Sequence, residues 1–102
     1  MEESYRTIAT ALLGACPPGV TRAWLEAELD DGHATTRYWY EKDGKTAQPK
    51  LPSLASFQIA KALNDIRDAM VKTGQQPWQR CTFSVDPAGR FKFDVDYDDK
   101  AA

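Results

Sequence analysis

Residues 78–98 read Trp78-Gln-Arg-Cys-Thr-Phe-Ser-Val-Asp86, then Pro87-Ala-Gly89, then Arg90-Phe-Lys-Phe-Asp-Val-Asp-Tyr-Asp98. Apolar side chains recur at every second place, at Cys81, Phe83 and Val85 before the turn and at Phe91, Phe93, Val95 and Tyr97 after it. Period-two alternation on both sides of a turn is the pattern of a β-hairpin with one buried face. Pro87 presets φ for the first turn position and Gly89 tolerates the left-handed one, so a three-residue loop with a glycine bulge fits. That loop predicts a register pairing Asp86 with Arg90, Phe83 with Phe93 and Arg80 with Asp96. Every inward pair is then apolar, and two outward pairs are opposite in charge.

Upstream, Ile59, Leu63, Ile66 and Met70 form the buried stripe of a helix that begins with Ser53 or Ser56 as N-cap and runs to Lys72. Gly74 stops it, and Ala60, Ala62 and Ala69 support its propensity. Lys42 to Ser53, with Gly44, Pro49 and Pro52, reads as a connecting loop. Before it lies a second alternating segment, with Ala23, Leu25, Ala27 and Leu29 facing one way and Arg22, Trp24, Glu26 and Glu28 the other. Asp31-Gly32 is a two-residue hairpin signal. Turning the chain there pairs Ala23 with Tyr40, Leu25 with Tyr38 and Ala27 with Thr36 inside. Outside, it pairs Arg22 with Glu41, Trp24 with Trp39 and Glu26 with Arg37. Residues 2 to about 14 carry the helical stripe Tyr5, Ile8, Ala9, Leu12 and Leu13, ended by Gly14 and Pro17-Pro18. The order is helix, hairpin, helix, hairpin (αββαββ). It predicts one α+β domain over residues 1–102, a four-stranded antiparallel sheet with both helices on one face. How the two hairpins join is not written in any local pattern.

The chain has 102 residues, 42% hydrophobic and 27% charged, which suits a single modest core. A net charge of −2 gives no overall field for nucleic acid or anionic membrane. No apolar run of about 18 residues is present, and Glu2 and Glu3 near the start do not resemble a secretion signal; the expectation is a cytoplasmic protein. Two cysteines and one histidine have no metal-ligand spacing, so Cys16 and Cys81 read as buried free thiols and no metal or cofactor is expected.

No phosphate loop, catalytic triad or activated cysteine is recognisable. His33 stands alone beside a turn and reads as a solvated loop residue. Two surface features carry the functional interest. Asp94, Asp96 and Asp98 project from one strand face, so their charges add; they form either an acidic ridge for a basic partner or a divalent cation, or a solvated outer face. Trp24 and Trp39 share the outer face of the first hairpin with Glu26 and Arg37, as a staple of the hairpin, as the anchor of an interface, or as both.

Thr73-Gly-Gln-Gln-Pro-Trp78, then Thr82-Phe83, Gly89 and Phe91-Lys-Phe-Asp-Val-Asp-Tyr-Asp98, resembles the YezG-like immunity proteins, most specifically over Gly74 to Asp98. The first helix, the Pro-Pro junction and Tyr38-Trp39-Tyr40 extend the likeness, with Cys81 where the family has an aliphatic residue. Members as a rule run on past the Asp-Tyr-Asp end, whereas this chain stops at Ala102. The resemblance implies a small cytosolic antitoxin that neutralises a polymorphic or contact-dependent growth inhibition toxin, commonly a nuclease, by contact and without an active site. Residues and resemblance together give one expectation: a protein, monomeric when free, that binds a toxin domain and not nucleic acid or membrane. Trp24 and Trp39 anchor it, Glu26 and Arg37 orient it, and Asp94, Asp96 and Asp98 attract a basic nuclease surface. Two rivals are an adaptor or chaperone-like module using the same face, and a metal-binding domain or enzyme built on the aspartates.

Overall fold

The alternation in the last third of the chain becomes strands β4 (Arg80–Val85) and β5 (Phe91–Asp96), paired in the expected register of Arg80 with Asp96 and Phe83 with Phe93. Gly89 sits at φ 88°, and the Asp86 N–H donates to the Arg90 carbonyl at 3.0 Å across the loop. The computed structural model describes residues 2–30, 33–75 and 78–96. The Asp31-Gly32 turn, the His33 side chain, Tyr97 and Asp98 lie outside them. The remaining elements are α1 (Glu2–Gly14), β1 (Arg22–Asp30), β2 (His33–Lys42), β3 (Lys45–Ala47) and α2 (Ser53–Lys72). β1 pairs with β2 as expected, Leu25 against Tyr38, Trp24 against Trp39 and Glu26 against Arg37.

Among the described residues the sheet has five strands, not four, in the order β3-β2-β1-β4-β5, with every neighbour antiparallel. The additional strand lies inside the segment read as a loop. Asp43 (φ 55°) and Gly44 (φ 74°) both take the left-handed conformation that a two-residue hairpin turn demands. They fold Lys45–Ala47 back on Tyr40–Lys42. All three residues of β3 are exposed, so no alternation betrays the strand.

One side of the sheet is covered. Ala23, Leu25, Ala27 and Leu29 of β1 and Cys81, Phe83 and Val85 of β4 are buried with Ile8 and Leu12 of α1 and Ile59, Ala62, Leu63 and Ile66 of α2. Burying that much apolar surface in one layer is the main driving force of a domain this size. Cover thins toward β5, where Phe91 stays 47% exposed although its ring stacks on Tyr5 at 5.0 Å and on Phe83 at 5.5 Å. No helix of the described residues is long and apolar enough to cross a membrane.

The ends of α2 differ from each other. No serine caps the start: Pro52 is the N-cap, at φ −59° and ψ 151°, and makes no side-chain hydrogen bond. Its ring fixes φ and leaves it no side-chain acceptor, while its carbonyl receives the Ser56 N–H at 3.0 Å. The C-terminus closes as the glycine foreshadows. Gly74 at φ 94° lets its own N–H reach the Val71 carbonyl and that of Gln75 reach Met70, a Schellman motif.

The chain leaves this cap and enters β4 through Trp78, which is fully buried. Its indole N–H donates to Met70 Sδ at 3.3 Å, and its ring meets Phe93 edge-on at 5.6 Å. Trp78 thus ties α2 to the last hairpin. Trp78→Ala should remove roughly 3–5 kcal/mol, a large part of the stability of a small domain. Urea denaturation monitored by circular dichroism checks this; a loss below about 1 kcal/mol would show that the residue is no core anchor.

Candidate functional site

Because side chains alternate, sealing one sheet face commits the even-numbered residues of β1, β4 and β5, and the odd-numbered ones of β2, to the other. The register sets them in rows across β2, β1, β4 and β5. One row runs Trp39, Trp24, Ser84, Lys92; the next runs Arg37, Glu26, Thr82, Asp94; the third runs Thr35, Glu28, Arg80, Asp96. The second and third rows line a shallow concavity of about 530 Å³. Trp24, Glu26, Arg37, Trp39, Asp94 and Asp96 are therefore brought together on one face, uncovered by any of the described elements. Asp98 lies outside the described residues.

Trp24 and Trp39 are half-buried and lie on the uncovered face, away from the helices. Their rings stack at 6.0 Å with planes 20° apart, and the Arg22 guanidinium sits 4.3 Å above the Trp24 ring. Such contacts contribute about 0.5–1.5 kcal/mol for an aromatic pair and about 0.5–1 kcal/mol for an exposed cation–π pair. They hold a rigid aromatic platform in place, with two ring systems half-open to solvent.

The expected opposition of Arg80 and Asp96 is present, and Arg80 has a second carboxylate beside it. Arg80 faces Asp96 in register, but it also faces Glu28 on its other side, and its Nε donates to Glu28 Oε2 at 3.2 Å. Lys92 Nζ lies 3.8 Å from Asp94, and Arg90 binds Asp86 at 2.9 Å. Among the described residues, Glu26, Arg37 and Asp96 have no ion-pair partner. No group of three or more His, Cys, Asp or Glu among the described residues could hold a metal ion. Asp86 is held below the ordinary carboxylate range. Desolvation acts against this and is outweighed by the backbone N–H of Arg90, its guanidinium and the Ala88 N–H.

Sequence reasoning passed over Arg22, Glu28, Arg80 and Thr82 as site residues, although the alternation that placed Trp24 places them too. For Arg22 and Glu28 the signal lies in the same strand as Trp24, whereas Arg80 and Thr82 join the site only once β1 and β4 are known to be neighbours. The family model described as "Immunity protein YezG-like" matches residues 45–102, more than half of the chain, spanning β3, α2, β4 and β5. No curated protein matches the chain.

Beneath the concavity lies Cys81, a free thiol like Cys16. Burial pushes its pKa up from 9.0 to about 12, against a smaller opposing effect of its hydrogen bond with the Ala27 backbone. The folded state thus keeps a proton that the unfolded chain gives up above about pH 9, so stability is unaffected below that point and falls as pH rises through it. Between pH 7.5 and pH 10 the wild type should lose roughly 1.4 kcal/mol more than Cys81→Ala. Urea titrations of both proteins at the two pH values measure the difference. Equal losses would mean that the thiol ionises as freely in the fold as out of it.

Proposed function

The chain belongs to the YezG-like immunity-protein family, and from that premise we propose that it neutralises a cognate bacterial toxin domain by seating it on the uncovered sheet face. The observation that carries this reading is the joining, on that one face, of a stacked tryptophan pair with an acidic concavity. Membership of the family supports an antitoxin role. The choice of surface and of toxin class is our own.

The Trp24–Trp39 platform supplies the anchor. Large, pre-ordered aromatic side chains are the residues that most often dominate an interface, because they bury much area at little conformational cost. Glu26 and Arg37, uncommitted to each other, orient the partner by taking up opposite charges on it. Asp94 and Asp96, with Asp98 beyond them in sequence, supply the long-range attraction.

That charge sign favours a nuclease, of a polymorphic or contact-dependent growth inhibition system, as the toxin. A nuclease surface must be positive to hold phosphates, so an acidic inhibitor gains association rate by steering and occludes the surface the nucleic acid needs. The antitoxin then acts in the cytoplasm, without cofactor or catalysis. A stable complex buries about 1,200–2,000 Å² in total, so the rim of the same sheet face also takes part.

Trp24→Ala combined with Trp39→Ala should weaken toxin binding roughly thirtyfold or more while lowering fold stability by about 1–3 kcal/mol. Calorimetric titration with the cognate toxin domain, beside thermal unfolding, separates the two effects. Undiminished binding in a folded double variant would remove the anchor. Replacing Asp94, Asp96 and Asp98 with Asn should slow association several-fold at low salt and flatten its salt dependence. Stopped-flow rates that keep the wild-type salt slope would remove the steering.

A further inference from the structure

The two edges of the sheet are not alike. β3 is three exposed residues long, carries Lys45 and is followed by Pro49, the features with which natural sheets blunt an edge. β5 is six residues long and, among the described residues, has β4 on one side only. The hydrogen bond from the Asp86 N–H to the Arg90 carbonyl sets the alternation of the β4–β5 ladder. Lys92, Asp94 and Asp96 therefore turn their backbone groups toward β4, while Phe91, Phe93 and Val95 turn theirs to the open edge.

Along the uncovered face, residues 90, 92, 94 and 96 read Arg, Lys, Asp, Asp. On the covered face, residues 91, 93 and 95 read Phe, Phe, Val. Both series become self-complementary when the strand is laid antiparallel against a second copy of itself with Phe93 opposite Phe93. Arg90 then meets Asp96, Lys92 meets Asp94, and each pair occurs twice about the two-fold axis. Phe91 meets Val95 on the helix side, which covers the half-exposed Phe91 ring. Shifting this alignment by two residues in either direction sets Asp94 against Asp94 or Lys92 against Lys92. The favoured register also directs the free N–H and carbonyl groups of Phe91, Phe93 and Val95 at their counterparts.

We propose that β5 is a homodimerisation edge, joining two copies into a ten-stranded sheet with both helical layers on one side. A two-fold pairing uses the edge once and closes, and the blunted β3 edge stops further growth. The contact is small beside a standard interface of about 1,200–2,000 Å², so the dissociation constant falls on the order of 10 µM to 1 mM. The free protein thus dimerises as its concentration rises, in place of the monomer expected from sequence. This inference does not depend on the toxin reading.

Charge exchange tests it. Lys92→Asp alone sets two aspartates against two aspartates, and Asp94→Lys alone sets two lysines against two lysines. The double variant restores opposite charges, and so does an equimolar mixture of the two single variants. In sedimentation equilibrium on the full chain, the wild type should rise from 11.4 kDa toward twice that mass with concentration. Each single variant should associate about tenfold or more weakly, while the double variant and the mixture recover. Circular dichroism confirms that each variant is folded. A wild type that stays at the monomer mass up to about 1 mM would overturn the proposal. So would single variants that associate as the wild type does, or a folded double variant and mixture that both fail to recover.

Discussion

The pairing of β1 with β4 is the contact on which the rest of the molecule hangs. It sets Ala23 against Val85, Leu25 against Phe83 and Ala27 against Cys81, so that two hairpins distant in sequence present one continuous apolar surface. Either hairpin alone is marginal in water, because a two-stranded ribbon has too little to bury. Joined, they give the helices a floor on which Ile8, Leu12, Ile59, Leu63 and Ile66 can be sealed from solvent. The join must also have the right parity. A slip of one residue would turn Trp24 and Glu26 beneath the helices and bring Leu25 out. On the uncovered side the Glu28–Arg80 pair spans the same two strands, although an ion pair this exposed contributes at most about 1 kcal/mol. The apolar side fixes the register, and the charged side agrees with it.

This constraint produces the functional surface as a by-product. Once every second residue of the central strands is committed to the core, the intervening ones have nowhere to go but the other face. The aromatic platform and the carboxylates gather there because alternation leaves them there, and β4 sets Glu26 and Glu28 of β1 in the same rows as Asp94 and Asp96 of β5, one strand apart. The core also holds the acidic strand in place. Trp78 locks the last hairpin to α2 while Tyr5 stacks on Phe91 and packs against Phe93, so both layers grip the strand that carries the acidic side chains.

Where physics is local, the sequence was readable. The registers of both long hairpins follow from alternation plus turn chemistry, and the helical stripes follow from their period. The additional strand shows how a valid rule goes unused. Asp-Gly signals a turn at residues 31–32, and the same dipeptide at Asp43-Gly44 folds β3 back onto β2. It escaped because a three-residue strand with every side chain exposed has no buried face to impose a period. The missing serine cap has a similar origin. Ser53 satisfies the composition rule, but Pro52 holds the position, and geometry outranks propensity there. The junction of the hairpins and the Arg80–Glu28 pair depend on long-range neighbours, which no window of sequence contains.

The distribution of charge on β5 bears on why its face and edge are as they are. A strand face that only meets water is best served by mixed signs, since neighbouring like charges on one face repel. Here they are sorted, Arg90 and Lys92 toward the turn and Asp94 and Asp96 toward the other end. Within the monomer, Lys92 lies 3.8 Å from Asp94, Arg90 turns to Asp86, and Arg80 faces Asp96 across the β4–β5 ladder. The like charges side by side on the strand still cost the isolated chain roughly a few tenths of a kcal/mol per neighbour. That cost is further offset when something outside the chain answers the sorting, whether a basic surface facing Asp94 and Asp96 or a second strand running the opposite way. The same carboxylates lie on both the open face and the open edge, so a partner on either one changes what the other offers.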